Sequence, residues 1–299
     1  MISINDVIRK IPEWKERSLR VTKLEGGITN QNYRVDVDDE RFVVRIPGED
    51  AHFLGIDRER EYECALSARC IGIAPEVTHF FKPDGVLITR FVEGQTMSVE
   101  RMGHEKTIRK AVRSIKKVHN GRPFPGTFSV FRTIEDYLKV GKTFGVALPA
   151  NIDEMFEKAY GIERAMARHP EVLTPCHNDL LAGNFIDTGT GFWIIDWELA
   201  AMGDPYFDLG NFSINHLFGD EQDEIVVEEY FGRVSTYNIS RLKLFKALSD
   251  IREAMWAVVQ MGISKLGVDY KAYGDKHFGR YCMSLKDPRY DRWIDQVSN

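Results

Sequence analysis

The chain has 299 residues, 43% apolar and 28% charged, and a net charge of −5. Such a composition is ordinary for a globular protein, long enough for about two domains or lobes and for a sizeable core. No basic excess is present to support nucleic-acid binding, whereas a mildly acidic surface suits a cationic small substrate.

Along the chain, the opening "MISINDVIRKIPEW" lacks the apolar stretch of a signal peptide. "LRVTKLE" (19–25), "NYRVDVD" (32–38) and "RFVVRIP" (41–47) are rich in β-branched residues and separated by turn signals, which predicts an antiparallel meander. "GIDREREYECALSARCIG" (55–72) predicts a helix with Ile56, Cys64, Ala65, Ala68 and Ile71 on its apolar side. "PEVTHFF" and "GVLITRFVEG" predict two more strands, and the link between the strand-rich and helical parts lies near "RFVEG" (90–94). Beyond it the pattern is helical: 104–120, with Ile108, Val112, Ile115 and Val118 at helical spacing, then 133–143, 152–168, 221–232, 239–264, 270–284 and 289–297. Two short strands, "NFIDT" and "GFWIID", interrupt the helices. The expectation is an α+β chain: a small β-rich lobe over residues 1–92 and a larger helical lobe over 93–299. No stretch approaches the roughly 20 apolar residues of a membrane span. Cys64, Cys70, Cys176 and Cys282 form no dense framework and read as reduced thiols of a cytoplasmic protein.

Between the helices sits "CHNDLLAGN" (176–184), with Asp179 five residues before Asn184, and "FWIIDWE" downstream delivers Asp196 at the end of an apolar strand. Asp, Asn and a strand-terminal Asp are what phosphoryl transfer from a magnesium nucleotide requires. The first carboxylate can accept the proton of a substrate hydroxyl, and the other two side chains offer hard oxygens to Mg²⁺. In the first lobe, "EGGITNQNYRV" is a Gly-rich turn that can bring backbone N–H groups to phosphates. "FVVRIPG" places Arg45 at the end of an apolar strand, where a guanidinium can grip phosphate oxygens. Glu59, Glu61 and Glu63 each offer it a helical carboxylate.

"CHNDLLAGN" with "IIDWE" and "FDLGNF" resembles the choline/ethanolamine kinase family, within the aminoglycoside-phosphotransferase-like kinases, whose bilobal fold is similar to that of protein kinases. The likeness extends over "GGITNQNYRV", "FVVRIPG", "REYECALSARCIGIAPEV", "ITRFVEG", "ALSDIREAMWAVVQMGIS" and "DYKAYGDKHFGRY", and so over most of the chain. It implies that Asp179 is the base, that Asn184 and Asp196 bind magnesium, and that Glu61 partners Arg45. It also implies that Gly27, Thr29 and Asn30 lie over the phosphates, that the Arg90–Val92 backbone meets adenine, and that His177 and Asp208 brace the catalytic loop.

A quaternary ammonium is held by aromatic faces through cation–π attraction, with carboxylates adding charge. Trp256 shares a helix face with Gln260, Glu253 lies one turn before, and Tyr270 and Tyr273 share a face of the next helix. In the family such aromatics form the choline cage, and Trp256 and Tyr273 match its positions. Glu253 stands where animal choline kinases have a second tryptophan; a carboxylate there favours a primary ammonium that donates hydrogen bonds, or compensates charge. The expected function is ATP- and Mg²⁺-dependent phosphorylation of a small cationic amino alcohol, choline first and ethanolamine second. An aminoglycoside, thiamine or amino-acid kinase of the same fold is the alternative, and a nucleotide-binding pseudokinase or partner-binding module is the alternative of a different class. Oligomeric state is not legible.

Overall fold

The alternating strands pair as the turn signals between them direct. In the computed structural model, which describes residues 2–24, 30–48 and 50–299, helix α1 (Ile4–Arg9) is capped by Ser3 and precedes the meander β1 (Leu19–Lys23), β2 (Asn30–Val37) and β3 (Glu40–Pro47). Helix α2 (Arg58–Cys70) comes next, with Asp57 capping the N–H groups of Glu59 and Arg60. Strand β4 (Val77–Phe81) then takes the far edge, and β5 (Val86–Arg90) returns between β4 and β3, giving the antiparallel order β1-β2-β3-β5-β4. Val35, Val37, Val44, Ile46, Val86 and Ile88 bury one set of alternating side chains against Val7, Ile11 and Trp14.

The buried side of α2 faces the other way. Cys64, Ala65 and Ala68 join a core with Ile108, Val112, Ile115 and Val118. Helix α2 is therefore packed between the sheet and the larger lobe, and its buried Glu61 is carried to the cleft between them. Ile56 and Ile71, expected on the apolar side of this helix, lie just beyond its ends and are only partly buried.

The larger lobe begins with β6 (Gln95–Thr96), α3 (Val99–Met102), α4 (Glu105–His119), α5 (Val130–Thr143) and α6 (Ile152–Met166). Strands β7 (Thr174–Cys176), β8 (Phe185–Asp187), β9 (Phe192–Ile194) and β10 (Ala201–Gly203) come after them; β8 lies between β6 and β9, and β7 pairs with β10. Helices α7 (Pro205–Asn215), α8 (Asp220–Phe231), α9 (Thr236–Ile263), α10 (Tyr270–Leu285) and α11 (Tyr290–Ser298) complete it. Helix α9 is the axis of this lobe, packed by α5, α7, α10 and α11, with Leu244, Leu248, Ile251, Met255 and Val258 in its core. The architecture is the bilobal, protein-kinase-like α+β fold that the sequence led us to expect. No helix among the described residues is long and apolar enough to cross a membrane.

Sequence pattern did not anticipate α7. Its residues Pro205–Ser213 are buried on every side, so no 3.6-residue apolar stripe marks it. The two- and three-residue strands β6, β7 and β10 are too short to show alternation.

Candidate active site

The loop after β7 is held by side chains of α7. Asp208 accepts the backbone N–H groups of His177 (2.8 Å) and Asn178 (2.7 Å), and His119 Nε2 lies 3.0 Å away on the same carboxylate. Asn211 accepts the Leu180 N–H at 2.6 Å. These bonds hold Asn178 at φ 64°, and its amide donates to the Leu199 carbonyl at 3.0 Å. His177 is buried, which lowers its pKa; Nε2 donates to the Ile195 carbonyl (3.0 Å) while Nδ1 faces the Asp179 N–H (3.3 Å). Those partners fix the neutral tautomer and tie the loop to the strand end that carries Asp196. Asn184 Nδ2 donates to the Asp179 carbonyl at 2.8 Å, which orients the amide oxygen as the end left to act as a ligand.

The Asp179 carboxylate meets Arg252 Nη2 of α9 at 3.1 Å. Burial pushes its pKa up to about 6, against the pull of Arg252 and with Glu253 and Glu198 adding to the rise. Asp196 sits at φ 68° and meets Arg45 Nη1 at 3.2 Å. Its pKa is well above the usual carboxylate range, through burial first and then through Glu198. A bound cation would reverse that preference, because it stabilises the ionised form.

Of the three helical carboxylates open to Arg45, the structure pairs Glu61 with it. Glu61 is 1% exposed, whereas Glu59 points outward to Lys82 and Glu63 is exposed. Arg58 joins the cluster, reaching Glu61 and Glu198 at 2.9 Å each and Asn30 at 2.8 Å. Asn30 in turn donates to Glu198 at 2.8 Å, so one side chain of the first lobe is tied directly to the loop after Asp196. Gly27 and Thr29 lie outside the described residues.

These groups open on one cavity of about 730 Å³. At one end it is lined by Leu24, Val43, Leu87, Val92, Ile186 and Ile195, an apolar slot that Arg90 also lines. The Arg90 guanidinium turns to Glu40 (2.5 Å), and its backbone N–H donates to the Glu76 carbonyl (2.8 Å). At the other end are Asp179, Arg252, Glu253, Trp256 and Tyr273. Trp256 and Tyr273 are partly exposed and lie edge to face, centroids 5.6 Å apart. Tyr270 packs behind Trp256 (5.8 Å) with its hydroxyl on Ser264, and is buried rather than in the wall. Gln260 is likewise buried away from it.

Three further residues belong to the site: Glu198, Arg58 and Arg252. Glu198 stands two residues after Asp196, inside the same "IIDWE", so its signal was present. Arg252 is one of four cations buried along α9, with Arg241, Lys243 and Lys246, so nothing in the local sequence singles it out. Arg58 carries no sequence signal, because a helix-start arginine is ordinarily a surface residue. With these included, the carboxylates Asp179, Asp196, Glu198, Glu61 and Glu253 outnumber the guanidinium groups Arg45, Arg58 and Arg252. The cleft is thus electronegative and suited to cations, while Arg45 at its wall can meet phosphate oxygens.

A bilobal kinase-like fold with such a cleft defines a small-molecule phosphotransferase. The model of the phosphotransferase enzyme family matches residues 20–245. A choline/ethanolamine kinase family protein from Mesorhizobium loti is 34% identical, covers 99% of both chains and superposes with a TM-score of 0.84. The choline kinase LicA from Streptococcus pneumoniae is 23% identical over 94% of this chain and 98% of its own, with a TM-score of 0.81. The mouse protein named ethanolamine kinase 2 is 24% identical over 92% of this chain and 79% of its own. The chain belongs to the choline/ethanolamine kinase family of phosphotransferases, and it is a kinase.

Proposed function

We propose that the chain transfers the γ-phosphoryl group of ATP to the hydroxyl of a small cationic amino alcohol, choline in the first place and ethanolamine in the second. The observation that carries this reading is the aromatic wall of Trp256 and Tyr273 in the same cavity as Asp179. A cation placed against those rings gains attraction from their faces, and the hydroxyl end of a two-carbon alcohol then comes to the base. Asp179 accepts the hydroxyl proton as the oxygen bonds to phosphorus and ADP departs. Arg45, braced by Glu61, holds the phosphates, and the apolar slot beside the Arg90–Val92 backbone takes the adenine.

Hard oxygens of Asn184 and Asp196 fit Mg²⁺, which when bound would supply charge neutralisation to the phosphates. The orientation of the Asn184 amide and the excess of carboxylate around Asp196 support that assignment. We assign nucleotide binding to residues 1–92 and catalysis and alcohol binding to 93–299. The free cysteines fit a cytoplasmic location. ADP release with Mg²⁺–ATP tests the substrate reading, using choline, ethanolamine, thiamine, homoserine and kanamycin as acceptors. Choline should give the highest kcat/KM. Turnover confined to kanamycin, thiamine or homoserine would replace the amino-alcohol reading.

A further inference from the structure

We propose that Arg252 is a positioning and specificity residue: its guanidinium orients Asp179 and takes up the charge of Glu253, so that the pocket favours a quaternary over a primary ammonium. This rests on the amino-alcohol reading above. Arg252 is 2% exposed although it reaches the cavity wall. Its Nη2 lies 3.1 Å from Asp179 Oδ1 and 2.6 Å from Glu253 Oε1. The other Glu253 oxygen accepts the Tyr273 hydroxyl at 2.9 Å. Tyr137 of α5 and the two carboxylates face the guanidinium.

A buried guanidinium is stable only where carboxylates compensate it, and Asp179 and Glu253 do so jointly. Glu253 Oε1 is buried against Arg252 in an ion pair without a hydrogen bond, out of reach of the cavity, and Oε2 is taken by the Tyr273 hydroxyl. A primary ammonium carries N–H donors that need acceptors when water is removed, and a quaternary one needs none. The wall then offers either cation ring faces, but gives the primary ammonium little with which to satisfy its N–H groups. Counting Asp179, Glu253 and Arg252 together, this end of the cavity keeps the single net negative charge that a monocation requires.

Steady-state kinetics with choline and ethanolamine test this in wild type, Arg252→Lys, Arg252→Met, Glu253→Gln and the double variant Arg252→Met/Glu253→Gln. Glu253→Gln removes the net charge and should raise KM for both alcohols roughly tenfold while leaving their kcat/KM ratio in place. Arg252→Met frees the Glu253 carboxylate, so the choline-over-ethanolamine ratio should fall roughly tenfold, with kcat lowered for both. The double variant restores the charge balance: KM and the ratio should return to within a few-fold of wild type while kcat stays low. Arg252→Lys keeps the charge and should keep the ratio, with kcat partly recovered; it and the double variant carry the test if Arg252→Met does not fold. A merely structural arginine would give losses that add in the double variant and an unmoved ratio, and that result overturns the proposal. A wild type that turns over neither alcohol overturns the amino-alcohol reading and this inference with it.

Discussion

Asp196 holds a left-handed backbone, φ 68°, that a residue other than glycine seldom adopts. Such a conformation costs on the order of 1–3 kcal/mol and persists where the surroundings enforce it. Here the enforcement comes from the Ile195 N–H on the Asn184 carbonyl (3.0 Å) and from the Arg45 contact. The result is a carboxylate turned off the end of β9 into the cleft instead of continuing along the strand. If Asp196 holds the metal, Asp196→Ala should remove most of the Mg²⁺-dependent gain in ATP affinity and leave metal-free binding little changed. Calorimetric titration of ATP with and without Mg²⁺ checks this, and an unchanged gain would exclude Asp196 as a ligand. That Asp179, Asn184 and Asp196 would line one cavity was legible, because their spacing matches a chemistry that brings such groups together. Arg252 and Arg58 were not, because nothing local distinguishes a buried arginine from a surface one until the chain closes around it.

Helix α7 does its work from behind the site, through Asp208 and Asn211, and its position depends on how closely it approaches α9. A Cβ on Gly210 would lie 2.8 Å from the Phe245 carbonyl carbon and 2.9 Å from the Lys246 nitrogen, both backbone atoms that cannot swing aside. Gly210→Ala should therefore push α7 from α9 and destabilise the fold by about 1–3 kcal/mol. Urea unfolding measures that loss, and kcat should fall as well, since the bonds from Asp208 to the catalytic loop are displaced. An unchanged urea midpoint would show that the two helices have slack. The long amphipathic helices were readable because one face is apolar and the other is wet; α4, with Ile108, Val112, Ile115 and Val118 buried, is the clearest instance. Helix α7 was readable only as the motif "FDLGN", since burial on all sides erases the stripe. The order of β4 and β5 depends on the sheet edge that each strand meets, which no single strand's sequence encodes.

Across the whole molecule, the two lobes meet at a cleft in which buried carboxylates outnumber cations, and stability must depend on pH as well as on packing. His216 is the clearest group outside the cleft. It lies among Phe185, Phe212 and Phe218, its Nδ1 donates to the Phe212 carbonyl, and its Nε2 is buried without a partner among the described residues. Burial pushes its pKa down to about 4. The unfolded chain takes up this proton near pH 6.5, while the folded chain resists until about pH 4, so stability falls with acidification between those values. From neutrality to about pH 5 the His216 share of that loss is about 2 kcal/mol. Urea titrations at the two pH values should show His216→Phe losing that much less than wild type; equal losses would mean that the imidazole is not held neutral. The cleft itself is tested by its product. With Mg²⁺–ATP and choline, ³¹P NMR should show phosphocholine accumulating with the wild-type protein. Asp179→Asn should bind ATP as tightly yet form phosphocholine ~10²–10⁴-fold more slowly, the range that a general base contributes. Near wild-type formation by Asp179→Asn, or no phosphocholine from the wild type, would contradict the account.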